Sequence, residues 1–238
     1  MNEWIFLVVG IITAIIPLGI ALSLNRKYKS SWILLIFGAA MFVLSLVRIP
    51  LNLGAQNIFN AYFAGTPLLV ASALFPSATA GIFEEGCRYL GYRYLFNPDR
   101  RTWSNGLMYG VGHGGIEAII FLTLNYVILF VVLRSAPGLL PPEIMSQVAD
   151  VSAYMPFVAL LERIFALCIQ VGLSVLVLQC FLQKSFKYMG YAIGLHLIVD
   201  FLAVMLVQES IAAAEGVTGA FAVLGLYIIW RFRENTRP

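Results

Sequence analysis

Charge is scarce in this sequence. Of 238 residues only 11% are Asp, Glu, Lys or Arg, whereas 61% are hydrophobic. Ordinary soluble domains carry about a quarter charged residues, so this composition excludes a water-soluble globular domain and implies a chain mostly in lipid. Cysteine is also scarce. Cys87, Cys168 and Cys180 fall in apolar stretches at unrelated spacings, which excludes a disulfide framework and a zinc-finger pattern. Low-complexity segments, repeats of 20–50 residues and long polar loops are lacking, and a single membrane domain over 1–238 is expected. The first apolar run, from residue 4, has no basic n-region and no A-x-A site, so it reads as a retained helix. The net charge of +3 gives no reason to invoke nucleic acid.

What is present is a series of long apolar runs. Seven are long enough to span, at about 4–24, 32–54, 60–95, 105–133, 153–182, 187–208 and 217–231. They are continuous rather than alternating, which favours helices over a barrel. The expected fold is therefore all-α, a polytopic transmembrane helical bundle of about seven spans. Run 60–95 is too long for one upright helix and holds Pro67 and Pro76. A kink, tilt or interfacial first half would absorb the excess, and splitting it would give eight spans. Lys and Arg collect in alternate connections: Arg26, Lys27 and Lys29; Arg100 and Arg101; Lys184 and Lys187; and the tail with Arg231, Arg233 and Arg237. The positive-inside rule then gives N-terminus out and C-terminus in. Trp4, Trp32, Trp103 and Trp230 lie near span ends and read as interfacial anchors. Short loops and the lack of a transit pattern suit a bacterial plasma membrane.

Against that background the charges inside the runs stand out: Glu84, Glu85, Arg88, Glu117, Glu162, Arg163 and Asp200. At about 2.5–3.5 kcal/mol each, their gross insertion penalty is on the order of 20 kcal/mol. They must face one another or a wet cavity. Both histidines have a carboxylate four residues later, His113 with Glu117 and His196 with Asp200, and Tyr109 precedes His113 by four. Such spacing puts partners on one helix face. By the same spacing Arg88 is expected beside Glu84. Glu85 points about 100° away, toward another partner such as Arg163. Counted from the cytoplasmic helix ends, Glu84, His113 and His196 lie about 13–17 Å deep, one polar layer in the cytoplasmic half. Glu162 and Arg163 fall nearer the outer face. Glycines 110, 112, 114 and 115 permit close approach of a helix or a substrate backbone.

These residue types suit hydrolysis of a peptide bond. Glu84 would activate water, His113 would share that water or hand a proton to the leaving amine, and His196 with Asp200 would stabilise the oxyanion. Two other readings stay open. Glu84, His113 and His196 could hold zinc, or the chain could be a proton-coupled transporter or a non-catalytic scaffold.

The three motifs "EEGCR", "YGVGH" and "HLIVD" resemble those of the CAAX-prenyl-protease and bacteriocin-processing superfamily. "GVGHGGIE" and "ER" bring the likeness closest to its bacterial YhfC-type branch. The resemblance implies a glutamic-type intramembrane endopeptidase of a kind also described as a metalloprotease. Glu84 stands as catalytic glutamate and Glu85 as its accompanying acid. Arg88, His113, His196 and Asp200 stand at the remaining motif positions. Its partners would be membrane lipid and a peptide or membrane-protein substrate, with no cofactor favoured and zinc the alternative. Arg88 sits one residue closer to the Glu pair than in the prenyl-protease branch, and Asp200 stands where Asn is frequent, so no prenyl specificity is implied.

Overall fold

The computed structural model describes residues 3–233. Arg237, at the end of the basic tail, lies outside them. The described residues form helices and no strand. Ten α-helices follow one another: α1 (Trp4–Tyr28), α2 (Trp32–Ser45), α3 (Arg48–Tyr62), α4 (Gly65–Tyr94), α5 (Trp103–Ala118), α6 (Leu124–Ser135), α7 (Pro142–Asp150), α8 (Met155–Leu182), α9 (Lys187–Val207) and α10 (Ile211–Arg231). Joined end to end, α2 with α3 and α5 with α6 make single crossings, so seven spans result.

Local chemistry explains the boundaries. Ser31, Thr102 and Ser210 cap α2, α5 and α10 with side-chain oxygens that accept from backbone N–H groups. Lys29, in the left-handed region at φ 57°, closes α1. A π turn over Ile119–Thr123 joins α5 to α6.

Three boundaries differ from the sequence expectation, one of them being the last span, which begins at Ile211 rather than 217 because Ser210 caps it. "NLGAQN" does not separate two spans but lies inside α3, because the second crossing bends at Leu46–Val47 and continues to Tyr62. The long third run resolves accordingly. Residues 60–62 finish α3, and α4 is one 30-residue helix with Pro76 inside it. Such a helix is about 45 Å long and fits a core of roughly 30 Å by tilting. The connection between α6 and α8 also contains α7.

Helix α8 is the centre, buried along most of its length. It packs on α1, α4, α5, α9 and α10. Helix α5 is the second axis. A Cβ on Gly112 would collide with the Leu35 carbonyl of α2, one on Gly110 with Ser174 of α8, and one on Gly115 with Pro17 of α1. The glycines of "GVGHGG" thus serve contacts between helices. Trp103 is not a lipid-facing anchor. It is buried, and its indole N–H donates to the Ile229 carbonyl at 2.8 Å, joining the start of α5 to the end of α10. Trp4, Trp32 and Trp230 are exposed.

Candidate active site

Polar side chains from five helices meet beside α4. Glu84, Glu85 and Arg88 come from α4, His113 and Glu117 from α5, Arg163 and Gln170 from α8, and His196 and Asp200 from α9. The fifth, α3, contributes Arg48 at its first position. Glu84, Glu85, Arg88, His113 and His196 are all buried, at 0–3% exposure. Charge at this depth survives only with close partners, and each carboxylate has them.

Glu84 accepts from Arg48 Nη2 at Oε1 (2.7 Å). Its Oε2 lies 3.2 Å from His113 Nε2, 3.3 Å from Gln170 Nε2 and 3.8 Å from His196 Nε2. Glu85 accepts from Arg88 Nη1 at 2.6 Å and pairs with His196 Nδ1 at 2.7 Å. Two sequence expectations are corrected here. Arg88 pairs with Glu85, three residues before it, and not with Glu84. Glu85 in turn serves His196 and Arg88, whereas Arg163 pairs with Glu117 and Glu162. A residue three back and one four back are both within a guanidinium's reach on a helix. Gln170 settles the choice, since its Oε1 accepts from Arg88 Nη2 and draws the group toward α8.

Asp200 also differs in detail. Its Oδ2 lies 3.5 Å from His196 Nε2, so it faces the cavity side of the ring, and Glu85 holds the Nδ1 side. Glu162 and Arg163 are not remote from the layer. Together with Glu84, Glu117, Gln170, His196 and Asp200 they line one cavity of about 100 Å³. A liquid water occupies about 30 Å³, so the space admits several. His113 is fully buried and does not line this cavity; its ring packs edge-on against Phe42, with centroids 5.1 Å apart. Tyr109 donates to the Arg88 carbonyl at 3.2 Å and packs on Tyr92 and Phe96, a supporting place behind the site.

Arg48 and Gln170 were not among the residues singled out from the sequence. Gln170 donates to Glu117 at 2.6 Å and to Glu84, and accepts from Arg88, so one neutral amide joins three charged groups. A lone amide inside "ALCIQVGL" was the available signal. For Arg48 it was an arginine inside an apolar run, with Asn52 and Gln56 at successive intervals of four.

A family profile described as YhfC intramembrane metalloprotease matches residues 12–222. The chain belongs to that family. It is also 29% identical over 240 residues to a protein of Bacillus subtilis (strain 168) named as an uncharacterized membrane protein YhfC, with 92% of each chain covered. No solved structure is a significant match. Seven apolar helices and this family make the chain an integral membrane protein of an intramembrane protease family.

The family's description implies a metal, and the donors present bear on whether one would fit. His196 has the support that a metal-bound imidazole needs, a carboxylate behind Nδ1. His113 lacks it, since its buried Nδ1 has no hydrogen-bond partner among the described residues. Glu84 already accepts at both oxygens. Among the described residues no three His, Cys, Asp or Glu side chains converge as a metal-holding group. As arranged, this donor set does not fit a bound metal.

Proposed function

We propose that the chain is an intramembrane endopeptidase in which Glu84 is the general base, acting on a peptide or membrane-protein substrate. The observation that carries this reading is the Oε2 atom of Glu84, which lies within 4 Å of both imidazoles, on a residue that lines a cavity with room for water. A water in that cavity would lose a proton to Oε2 as it attacks the peptide carbonyl. His196, anchored through Nδ1 on Glu85, would face the same water and carbonyl with Nε2. As an imidazolium it would donate to the developing oxyanion, with Asp200 beside it. His113 would orient Glu84 from behind and share the proton on its way to the leaving amine. Arg88, Gln170, Glu117 and Arg163 would hold these groups in place, and Glu162 and Asp200 would face the cavity.

Kinship with the wider CAAX-prenyl-protease superfamily is part of this proposal and rests on the order and spacing of "EEGCR", "YGVGH" and "HLIVD". A metal-dependent protease is the second reading, favoured by the family's description and by the Glu85-backed imidazole of His196. The deciding experiment is cleavage of a membrane-peptide library by purified, chelator-treated protein. Cleavage by wild type and not by Glu84→Gln supports the glutamate reading. Activity that returns only on zinc addition supports the metal reading, and full activity in Glu84→Gln overturns Glu84 as base.

A further inference from the structure

The two oxygens of Glu84 keep different company. Oε2 faces the imidazoles and the cavity, while Oε1 is taken by Arg48 at 2.7 Å. Arg48 comes from an unusual helix. No residue of α3 is buried, and α3 lies along α4. What joins them is a polar seam at intervals of four: Arg48 meets Glu84, Asn52 accepts from Thr79 at 2.8 Å, and Gln56 donates to Ser72 at 2.9 Å. The seam delivers a guanidinium to one oxygen of one carboxylate.

The most enclosed carboxylates are matched to guanidinium groups of the protein. The three enclosed carboxylates Glu84, Glu85 and Glu117 each have a guanidinium within 4 Å, from Arg48, Arg88 and Arg163 respectively. The two remaining acids, Glu162, which shares Arg163, and Asp200, have side chains 42% and 40% exposed and line the cavity. A dication bound by Glu84 would meet a carboxylate that already has a guanidinium on one oxygen. It would compete with Arg48 for the same carboxylate and repel it at short range.

We propose that Arg48 is the built-in counter-cation of Glu84, occupying its carboxylate in place of a divalent metal and turning Oε2 toward the cavity. Arg48 is a positioning residue, and its role rests on the reading of Glu84 as the base, because a metal-ligated Glu84 is not free to take a proton. The same seam, with the Phe59–Phe75 ring contact at 5.6 Å, ties α3 to α4 beyond the bend at Leu46–Val47.

Cobalt(II), whose visible absorption reports its coordination, tests this without a known substrate. The full chain, chelator-treated and in nanodiscs, is titrated as wild type, Arg48→Lys, Arg48→Met, Arg48→Gln and Arg48→Met/Glu84→Gln. Wild type and Arg48→Lys are expected to show no stoichiometric cobalt band. Arg48→Met or Arg48→Gln is expected to gain one, with binding at least about tenfold tighter, as loss of a contacting like charge implies. The band should vanish in the double variant. A stoichiometric cobalt site in wild type, lost in His113→Ala and His196→Ala, overturns the proposal. So does a failure of both neutral variants to gain cobalt. Peptidase activity is followed in parallel. Full activity in Glu84→Gln while cobalt exclusion persists would overturn Glu84 as base and leave Arg48 as its counter-cation intact.

Discussion

At the residue scale, the two adjacent glutamates have separate duties that their neighbours define. Glu84 has one oxygen on Arg48 and the other toward the cavity; Glu85 is sealed between Arg88 and His196. Glu84→Gln should therefore lower cleavage by at least about 10²–10⁴-fold, the contribution of a general base, while circular dichroism shows unchanged helix content. Gln170→Leu is expected to act differently. It removes the amide that joins Arg88, Glu117 and Glu84, and unpaired buried polar groups cost about 1–3 kcal/mol. The unfolding temperature of Gln170→Leu should fall accordingly, and an unshifted transition would show that water replaces the amide. Much of this layer was legible in the sequence. His196 and Asp200, four apart, do face one cavity, and the cost of intramembrane charge required partners for Glu84 and Glu85. The partners themselves were less legible. Helical spacing leaves Arg88 free to choose between Glu84 and Glu85, and the choice is made by Gln170, on another helix and uncharged.

At the scale of the elements, α5 is gripped on three sides, and its glycines mark where. Gly112→Ala would drive a methyl into the Leu35 carbonyl of α2, an atom of backbone that cannot rotate away. Overpacking costs about 1–3 kcal/mol even where side chains can yield, so this variant should unfold at a clearly lower temperature. Gly19→Ala is the matched control, since its added methyl meets nothing within 4 Å, and it should leave the transition unmoved. Equal effects of the two would show that helix propensity outweighs contact with α2. The crossings were legible as apolar runs, and the glycine density as close packing. The bend at Leu46–Val47 was less so. The signal in "VRIPLN" was Pro50, which cannot bond the Leu46 carbonyl four residues back, and α4 then holds residues 48–62 through Glu84, Thr79 and Ser72.

At the scale of the whole molecule, the N-terminus-out topology remains a proposal from charge alone. It accords with one packing fact, the Trp103–Ile229 bond that holds the start of α5 and the end of α10 at the same face. Cysteines introduced one at a time at Lys27 and Lys187 should resist a membrane-impermeant thiol reagent in intact cells. Those introduced at Glu143 and Glu209 should react, and the reverse pattern would invert the topology. The buried pairs also bear on how the chain is made. Helix α4 carries Glu84, Glu85 and Arg88, yet Gln170 comes 82 residues after Arg88 and His196 comes 111 after Glu85. At about 5–20 residues per second, synthesis of those partners lags by roughly 5–20 seconds. Glu85 and Arg88 can shield each other during that interval, but Glu84 cannot turn to them. Arg48 precedes it in the chain by 36 residues and is already present. The cation that holds Glu84 in the finished protein is thus also the one that can escort α4 out of the translocon, before any of the later helices exist.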